Sequence, residues 1–409
     1  MTAPSPSAAP SSPPAWPRVD YPFARDPHGG PPPVFDELRQ RWPVCPMRMP
    51  DGERVWLVTR YRDVATVLSD PRFSRALTCT GDAKLLRVGV FGDPANMFNM
   101  DAPDHTRLRR ILAPVFAPGA VRGLRPFVER SIGALVEHLA QLTPPVDLMT
   151  QLAIPLPISV NCDLFGIAAK DWAEAAMLAS GFNATTTAPG DLRRQYRRLL
   201  ALLERLVAEQ RARPGIGVLS MMIAARDEED RLSDDELLAT AAVLLVGGTE
   251  TVSSVVGLGV QSLLNHPEQL AACTANPRLW KTAVEEVMRY RPGFDLSALR
   301  VAREPVELSG TVIPQGASVC APVLAAAYDP SVFPDPHRFD IHRDNASPIH
   351  FGHGPHYCIG AGLSRLELEV TFSKLFQRLP GLRLATSPER IPFQRGSAHM
   401  RPTRLMVTW

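Results

Sequence analysis

Apolar residues along this chain recur mostly at three- and four-residue spacing, so helices are expected to dominate, with short β-rich runs supplying a few strands. Helices are predicted over Pro32–Trp42, Tyr61–Leu68 and Asp101–Phe116, and the pattern stays helical, with Pro and Gly breaks, from Val121 to Ala225. Arg54–Thr59 reads as a strand, Val306–Val319 as short hairpins turning at Gly310 and Gly316, and the segment after the last helix as β structure. Ser233-Asp234-Asp235-Glu236 has the form of a capping box and opens the longest apolar run, which continues to Asn265 with Pro267 just beyond. That is a helix of roughly 30 residues, about 45 Å at 1.5 Å per residue. Glu250 and the hydroxyls of Thr249, Thr251, Ser253 and Ser254 interrupt it, leaving no charge-free stretch of the ~20 residues a bilayer requires. It is expected to be a buried central helix. Gly81–Met100 keeps no period and predicts a long loop, which inside a compact domain is usually functional.

The hydrophobic share of 45% suffices for a large core, and 44 basic against 42 acidic residues give no global field for nucleic acid or an anionic membrane. Only four of the basic residues are lysine, an arginine excess that suggests a high-GC bacterial genome. The six cysteines, at 45, 79, 162, 273, 320 and 358, show no paired spacing, so neither a zinc site nor a disulfide framework is indicated and a reducing cytoplasm fits. Residues 1–17, rich in Pro, Ser and Ala, read as a disordered tail without the basic start and apolar block of a signal peptide. With no internal repeat and no linker, residues 18–409 are expected to form one domain.

The chemistry concentrates at Phe351–Gly360, F-G-H-G-P-H-Y-C-I-G. Cys358 sits just before a helical face marked by Leu363, Leu366 and Val370, so a helix N-terminus and backbone N–H groups point at its sulfur and favour the metal-binding thiolate. Gly352, Gly354 and Gly360 allow a tight turn and close approach to a flat cofactor. Elsewhere, His105 and Arg109 lie four apart on a helix, a spacing that by itself also describes a solvated polar face. In G-G-T-E-T-V, Gly247–Val252, Thr251 can hydrogen-bond the Gly247 carbonyl and bend the helix. Glu250 is a carboxylate costly to bury unless paired or solvated, and so a candidate proton relay. Glu286 and Arg289 form an i, i+3 pair.

Together these segments, in this order, resemble the cytochrome P-450 family over Pro32–Trp409. The resemblance implies a mainly α fold with small β-sheets (α+β), haem held between the central helix and the cysteine-loop helix. It implies haem b ligated through its iron by Cys358, with O2 as co-substrate and electrons from NAD(P)H through a ferredoxin and its reductase. Cofactor-binding positions are His105, Arg109, Gly247, Arg300, Phe351, His356, Cys358 and Gly360. His105, Arg109, Arg300 and His356 serve the haem propionates, and Glu250 with Thr251 the delivery of protons. Glu286 and Arg289 match an internal pair locked by a third residue, assigned to Arg338 in F-P-D-P-H-R-F. Asp70-Pro71-Arg72-Phe73-Ser74-Arg75 also matches bacterial members, whereas Ala327-Tyr328 and Thr249 depart from their usual residues.

The expected function is therefore a soluble, cytoplasmic, monomeric haem-thiolate monooxygenase of bacterial secondary metabolism, such as antibiotic biosynthesis, that oxidises a small, largely apolar molecule. An alternative outcome is oxidative C–C or C–O coupling of aromatic or peptidic substrates without oxygen insertion. A non-catalytic haem sensor is the alternative from another class. Leu85, Leu86, Val88, Val243, Leu244, Gly247, Leu296 and Ser297 are candidate substrate-pocket residues, with Val90, Phe91 and Ala298 nearby. Arg107, Arg110 and Arg365 form a candidate basic patch for an acidic ferredoxin.

Overall fold

The computed structural model describes residues 16–24, 30–79, 89–182, 184, 186–215, 217–227, 231–293, 299–344, 348–394, 396–397 and 399–409. Most of the expected tail lies outside these, but Trp16 near its end packs edge-on against Trp56, ring centroids 5.8 Å apart. The predicted helices form at Val34–Arg41, Tyr61–Ser69 and Asp104–Phe116.

The capping box is complete. Ser233 Oγ accepts from the Glu236 N–H at 3.1 Å, and the Glu236 carboxylate accepts from the Ser233 N–H at 2.8 Å. The central helix it opens is two helices, Asp234–Gly247 and Glu250–Leu264; the Gly248 N–H still donates to Leu244 O at 3.1 Å, and the backbone ladder falters at Thr249. The Thr249 N–H reaches back to Val246 O at 3.4 Å, and the Thr251 hydroxyl donates to Gly247 O at 2.7 Å. The expected bend is thus a break. Asp234–Leu264 is long and apolar enough to pass for a membrane span, yet most of it is buried within the protein, as a core helix is.

Three apolar clusters surround this helix pair. In one, Val256, Val260 and Leu263 of its second half meet Phe372 and Leu375 of the cysteine helix, Ala361–Arg378. Trp280 stacks on Phe376 at 5.9 Å there. The first half packs instead among Pro189–Ala212 and Val218–Asp227. The third cluster lies around a five-stranded sheet ordered Val44–Arg48, Arg54–Val58, Ser318–Cys320, Arg300–Ala302 and Phe73–Ser74. All neighbours are antiparallel except Arg54–Val58 beside Ser318–Cys320. Of the expected hairpins, Val306–Leu308 pairs with Thr311–Ile313 through Ser309 and Gly310, both at positive φ as a two-residue turn requires. The C-terminal strand Met406–Thr408 lies between Val146–Asp147 and Arg383–Leu384.

The Glu286–Arg289 pair is fully buried, at 2.7 and 2.8 Å, but Arg338 does not complete it. Arg338 offers Arg289 only its backbone carbonyl, while its side chain points to solvent and pairs with Asp340. The turn through Asp335, at φ 49°, carries Phe339 and Ile341 inward and the Arg338 side chain outward. Arg343 takes its place, with Nε 3.3 Å from Glu286 Oε2 and further hydrogen bonds to Pro334, Asp335 and Arg338 carbonyls. Removing one member of a buried ion network leaves charge uncompensated, at about 3–5 kcal/mol, whereas an exposed pair contributes less than about 1 kcal/mol. Chemical denaturation should therefore find Arg343→Ala destabilised by about 3 kcal/mol or more and Arg338→Ala within about 0.5 kcal/mol of the parent. Equal effects would refute the reassignment.

Candidate active site

A cavity of about 360 Å³ opens where the three clusters meet, with Val255 and Leu363, Leu68 and Val323, and Val243 and Phe165 taken from each in turn. The cysteine loop forms one wall. Gly354, at φ 70°, docks against Tyr61–Ser69 so closely that a Cβ would lie 2.7 Å from Ser69 Cα. Gly360 has an ordinary φ of −83°, and a Cβ there would meet only Cys358 Sγ, at 4.0 Å, among protein atoms. The Cys358 N–H donates to Phe351 O at 2.9 Å and closes the loop.

Cys358 is accessible from the cavity but otherwise lies deep in the protein. Burial raises its thiol pKa, while hydrogen bonds from the Gly360 and Ala361 N–H groups and the charges of Arg109 and Arg365 pull it down. Those are the amides and the helix N-terminus that the sequence pattern aims at the sulfur.

His105, Arg109, Arg300 and His356 line the same cavity, as do Phe351, Gly360 and Gly247. The His105 and His356 rings lie 4.1 Å apart. Burial, then the Arg300 charge and its neighbours, push His356 down to about 2; burial and the Arg109 and Arg300 charges push His105 down to about 4. Both imidazoles are thus neutral near pH 7. Arg300 is 2% exposed and donates to Leu299 O at 3.1 Å, and burial lowers its pKa to about 10. Arg109 donates to Tyr357 O at 2.7 Å. Among the described residues no carboxylate forms an ion pair with these four groups. Asp101, the acid whose charge acts on Arg300, is engaged by Ser74, the Arg75 N–H and Arg303. Buried donors and guanidinium groups facing a cavity beside a thiol fit a planar, dianionic metal cofactor.

Arg75 went unrecognised in the sequence as a support behind this wall, where its charge acts on His356. It is 1% exposed, spans Leu299 O, Phe98 O and Asn99 Oδ1, and lies 4.3 Å over the Phe98 ring. His350 and His399, in the cavity wall, carry no sequence signature either.

On the opposite side, Thr251, Val243, Leu244 and Gly247 line the cavity, whereas Glu250 does not. Glu250 is buried and its carboxylate accepts from the Gly181 N–H at 3.0 Å. Leu85, Leu86, Val88, Leu296, Ser297 and Ala298 lie outside the described residues; Phe91 joins the wall and Val90 is packed behind it.

Two of the three candidate docking arginines are spent internally. Arg107 pairs with Glu236 at 2.5 Å, and Arg365 is chelated by Glu285 at 2.5 and 3.1 Å while donating to the Tyr357 hydroxyl at 3.1 Å. Arg110 alone of the three remains exposed.

The cytochrome P-450 family model matches residues 203–408. Nocardicin C N-oxygenase of Nocardia uniformis subsp. tsuyamanensis is 39% identical over 95% of this chain and 98% of its own. Cytochrome P-450 monooxygenase PikC of Streptomyces venezuelae is 39% identical over 90% and 87%. The structure of SgvP, a putative thioether synthase involved in the tailoring step of griseoviridin, superposes with a TM-score of 0.90 at 34% identity, covering 96% and 100%. The chain belongs to the cytochrome P-450 family. It is a monooxygenase of that family: a haem enzyme of bacterial secondary metabolism that uses O2, and electrons from a redox partner, to oxidise a small molecule.

Behind the cysteine loop, Glu285 also lies 3.2 Å from His350 Nε2. Burial alone would raise the Glu285 pKa, but His350 and the Arg365 guanidinium hold it down to about 2. Burial lowers the His350 pKa, so the compensating charge resides mainly on Arg365. A carboxyl depressed from 4.5 to about 2 stabilises the fold above pH 4.5 by about 3 kcal/mol and loses that contribution as pH falls toward 2. The stability gap between the parent and Glu285→Gln should therefore close over that window in urea titrations. A gap independent of pH would contradict the assignment.

Proposed function

We propose that Cys358 is the iron ligand and that His105, Arg109, Arg300 and His356 hold the two propionates of haem b. The observation that carries this is the convergence on a single cavity of one thiol and four donors that no described carboxylate pairs with, His105 and Arg300 buried and Arg109 and His356 half-buried. Bound there, haem supplies the activation of O2, helped by electron donation from the thiolate. The protein's share is to fix the sulfur between the Gly360 and Ala361 amides, to neutralise the propionates, and to exclude water with apolar walls. Thr251, whose hydroxyl hydrogen is engaged by Gly247 O, keeps lone pairs free to accept from water on the cavity side. Glu250 supplies protons from behind the break. Its bond to Gly181 ties that acid to the segment following Trp172–Ala179.

The substrate is small and mostly apolar, in keeping with Val243, Leu244, Phe91 and Phe165 in the wall. Similarity to a putative thioether synthase supports a second outcome, oxidative coupling, in which the same oxidant joins two groups instead of inserting oxygen. Electrons come from NAD(P)H through a ferredoxin and its reductase, with the exposed Arg110 on the docking face, and the enzyme works in the cytoplasm as a single-domain monomer. Gly247, Gly360 and Phe351, over whose ring Arg365 lies at 4.5 Å, line the cavity and would flank the haem.

Cys358→Ser should abolish the red-shifted Soret band produced by reduction under carbon monoxide, since a neutral hydroxyl lacks the thiolate's charge. A surviving band would mean another ligand. Thr251→Ala should still consume NAD(P)H in a reconstituted ferredoxin system, releasing most electrons as hydrogen peroxide. Normal product per NAD(P)H would remove Thr251 and its neighbouring acid from the proton path.

A further inference from the structure

Arg365 projects from the second turn of the cysteine helix, Ala361–Arg378, onto the two residues that bracket Cys358 in the loop. Its guanidinium lies 4.5 Å over the ring of Phe351, whose carbonyl accepts the Cys358 N–H at 2.9 Å. Its Nη1 donates at 3.1 Å to the hydroxyl of Tyr357, the residue preceding the cysteine, and Arg109 donates to the carbonyl of that same tyrosine at 2.7 Å. Two cations therefore grip one residue immediately before the sulfur.

They differ in how their charge is balanced. A guanidinium presents its donors in a fixed plane, so a carboxylate that takes two of them also fixes where the charge sits. For Arg365 that carboxylate is Glu285 on Trp280–Tyr290, which accepts from Nε at 2.5 Å and from Nη2 at 3.1 Å. Glu285 is backed in turn by His350 of the cavity wall, with Nε2 at 3.2 Å. The side chains are 31% exposed for Arg365 and 22% for Glu285, so solvent screens the pair only in part. The charges of Arg109 and Arg365 both bear on the Cys358 sulfur. Of the two, Arg365 is the one that a described carboxylate moderates.

We propose that Glu285 sets the reduction potential of the haem that Cys358 ligates, by partly cancelling the Arg365 charge and fixing it against Phe351 and Tyr357. A positive charge beside the sulfur stabilises the thiolate, draws electron density from the iron and favours the ferrous state, and the carboxylate restrains that pull. Glu285 is a positioning residue, and the inference rests on Cys358 being the iron ligand.

The test is a spectroelectrochemical titration of the haem-loaded full-length protein as the parent, Glu285→Gln, and the double variant Glu285→Gln/Arg365→Gln. The double variant avoids the uncompensated carboxylate that Arg365→Gln alone would leave. Glu285→Gln should shift the equilibrium about fivefold toward ferrous haem, roughly 40 mV upward at 59 mV per tenfold for one electron. The double variant should lie at or below the parent. A purely structural role would move both variants in the same direction or neither, and either result overturns the proposal. If Glu285→Gln does not retain haem, Tyr357→Phe reads the same charge. Losing the hydroxyl that holds Nη1 beside the cysteine should lower the midpoint about twofold in equilibrium constant, roughly 20 mV, and no shift there overturns the proposal. The red-shifted carbon monoxide band of the parent separates the two readings. Its absence removes Cys358 as ligand and the proposal with it, whereas a normal band with unmoved midpoints sinks the proposal alone.

Discussion

A buried positive charge without an anion costs several kcal/mol, and this protein sets the buried Arg300 and the half-buried Arg109 on the wall of one cavity with two imidazoles whose pKa values burial lowers. Much of the surrounding architecture can be traced to that constraint. Arg300 is brought in by a short strand inside the five-stranded sheet, and Arg75 reaches the same region from the edge strand beside it. Arg109 and His105 arrive on Asp104–Phe116, and His356 on the cysteine loop. The one nearby acid, Asp101, is fully engaged before it can pair with Arg300. Each element supplies a donor, and no described carboxylate pairs with them, so an anionic group bound in the cavity would complete the electrostatics of this wall.

The opposite wall works by subtraction. Most of the central helix pair is apolar, and at one point its hydrogen-bond ladder is interrupted, with a threonine hydroxyl substituting for a backbone donor. A continuous helix would present only side chains to the cavity. The interruption presents backbone polarity there without placing a charged side chain in the wall, and Glu250 stands just outside it, its carboxylate accepting from the Gly181 N–H.

What could be read from the residues divides along physical lines. Helix existence, the capping box, the break near Thr251 and the cysteine loop were legible because each depends on neighbours within a few positions. The partner of Glu286 was not. Arg338 and Arg343 are both arginines in one short turn-rich stretch, and which side chain enters is decided by the backbone reversal at Asp335 rather than by residue type. Arg107 and Arg365 looked like surface cations because their acids, Glu236 and Glu285, are far away in sequence. A carboxylate held by a backbone N–H, as Glu250 is, leaves no trace in composition at all.

The central helix pair also bears on how the chain must be made. Its second half is buried by Phe372 and Leu375, which belong to a helix beginning about a hundred residues later. At 5–20 residues per second, that interval is roughly 5–20 s of synthesis. During it the ribosome has already released a segment apolar enough to be mistaken for a membrane span, while the surface that will cover it does not yet exist. That part of the segment's apolar surface therefore waits for its cover until the last eighth or so of the chain, from Ala361 onward, has been made.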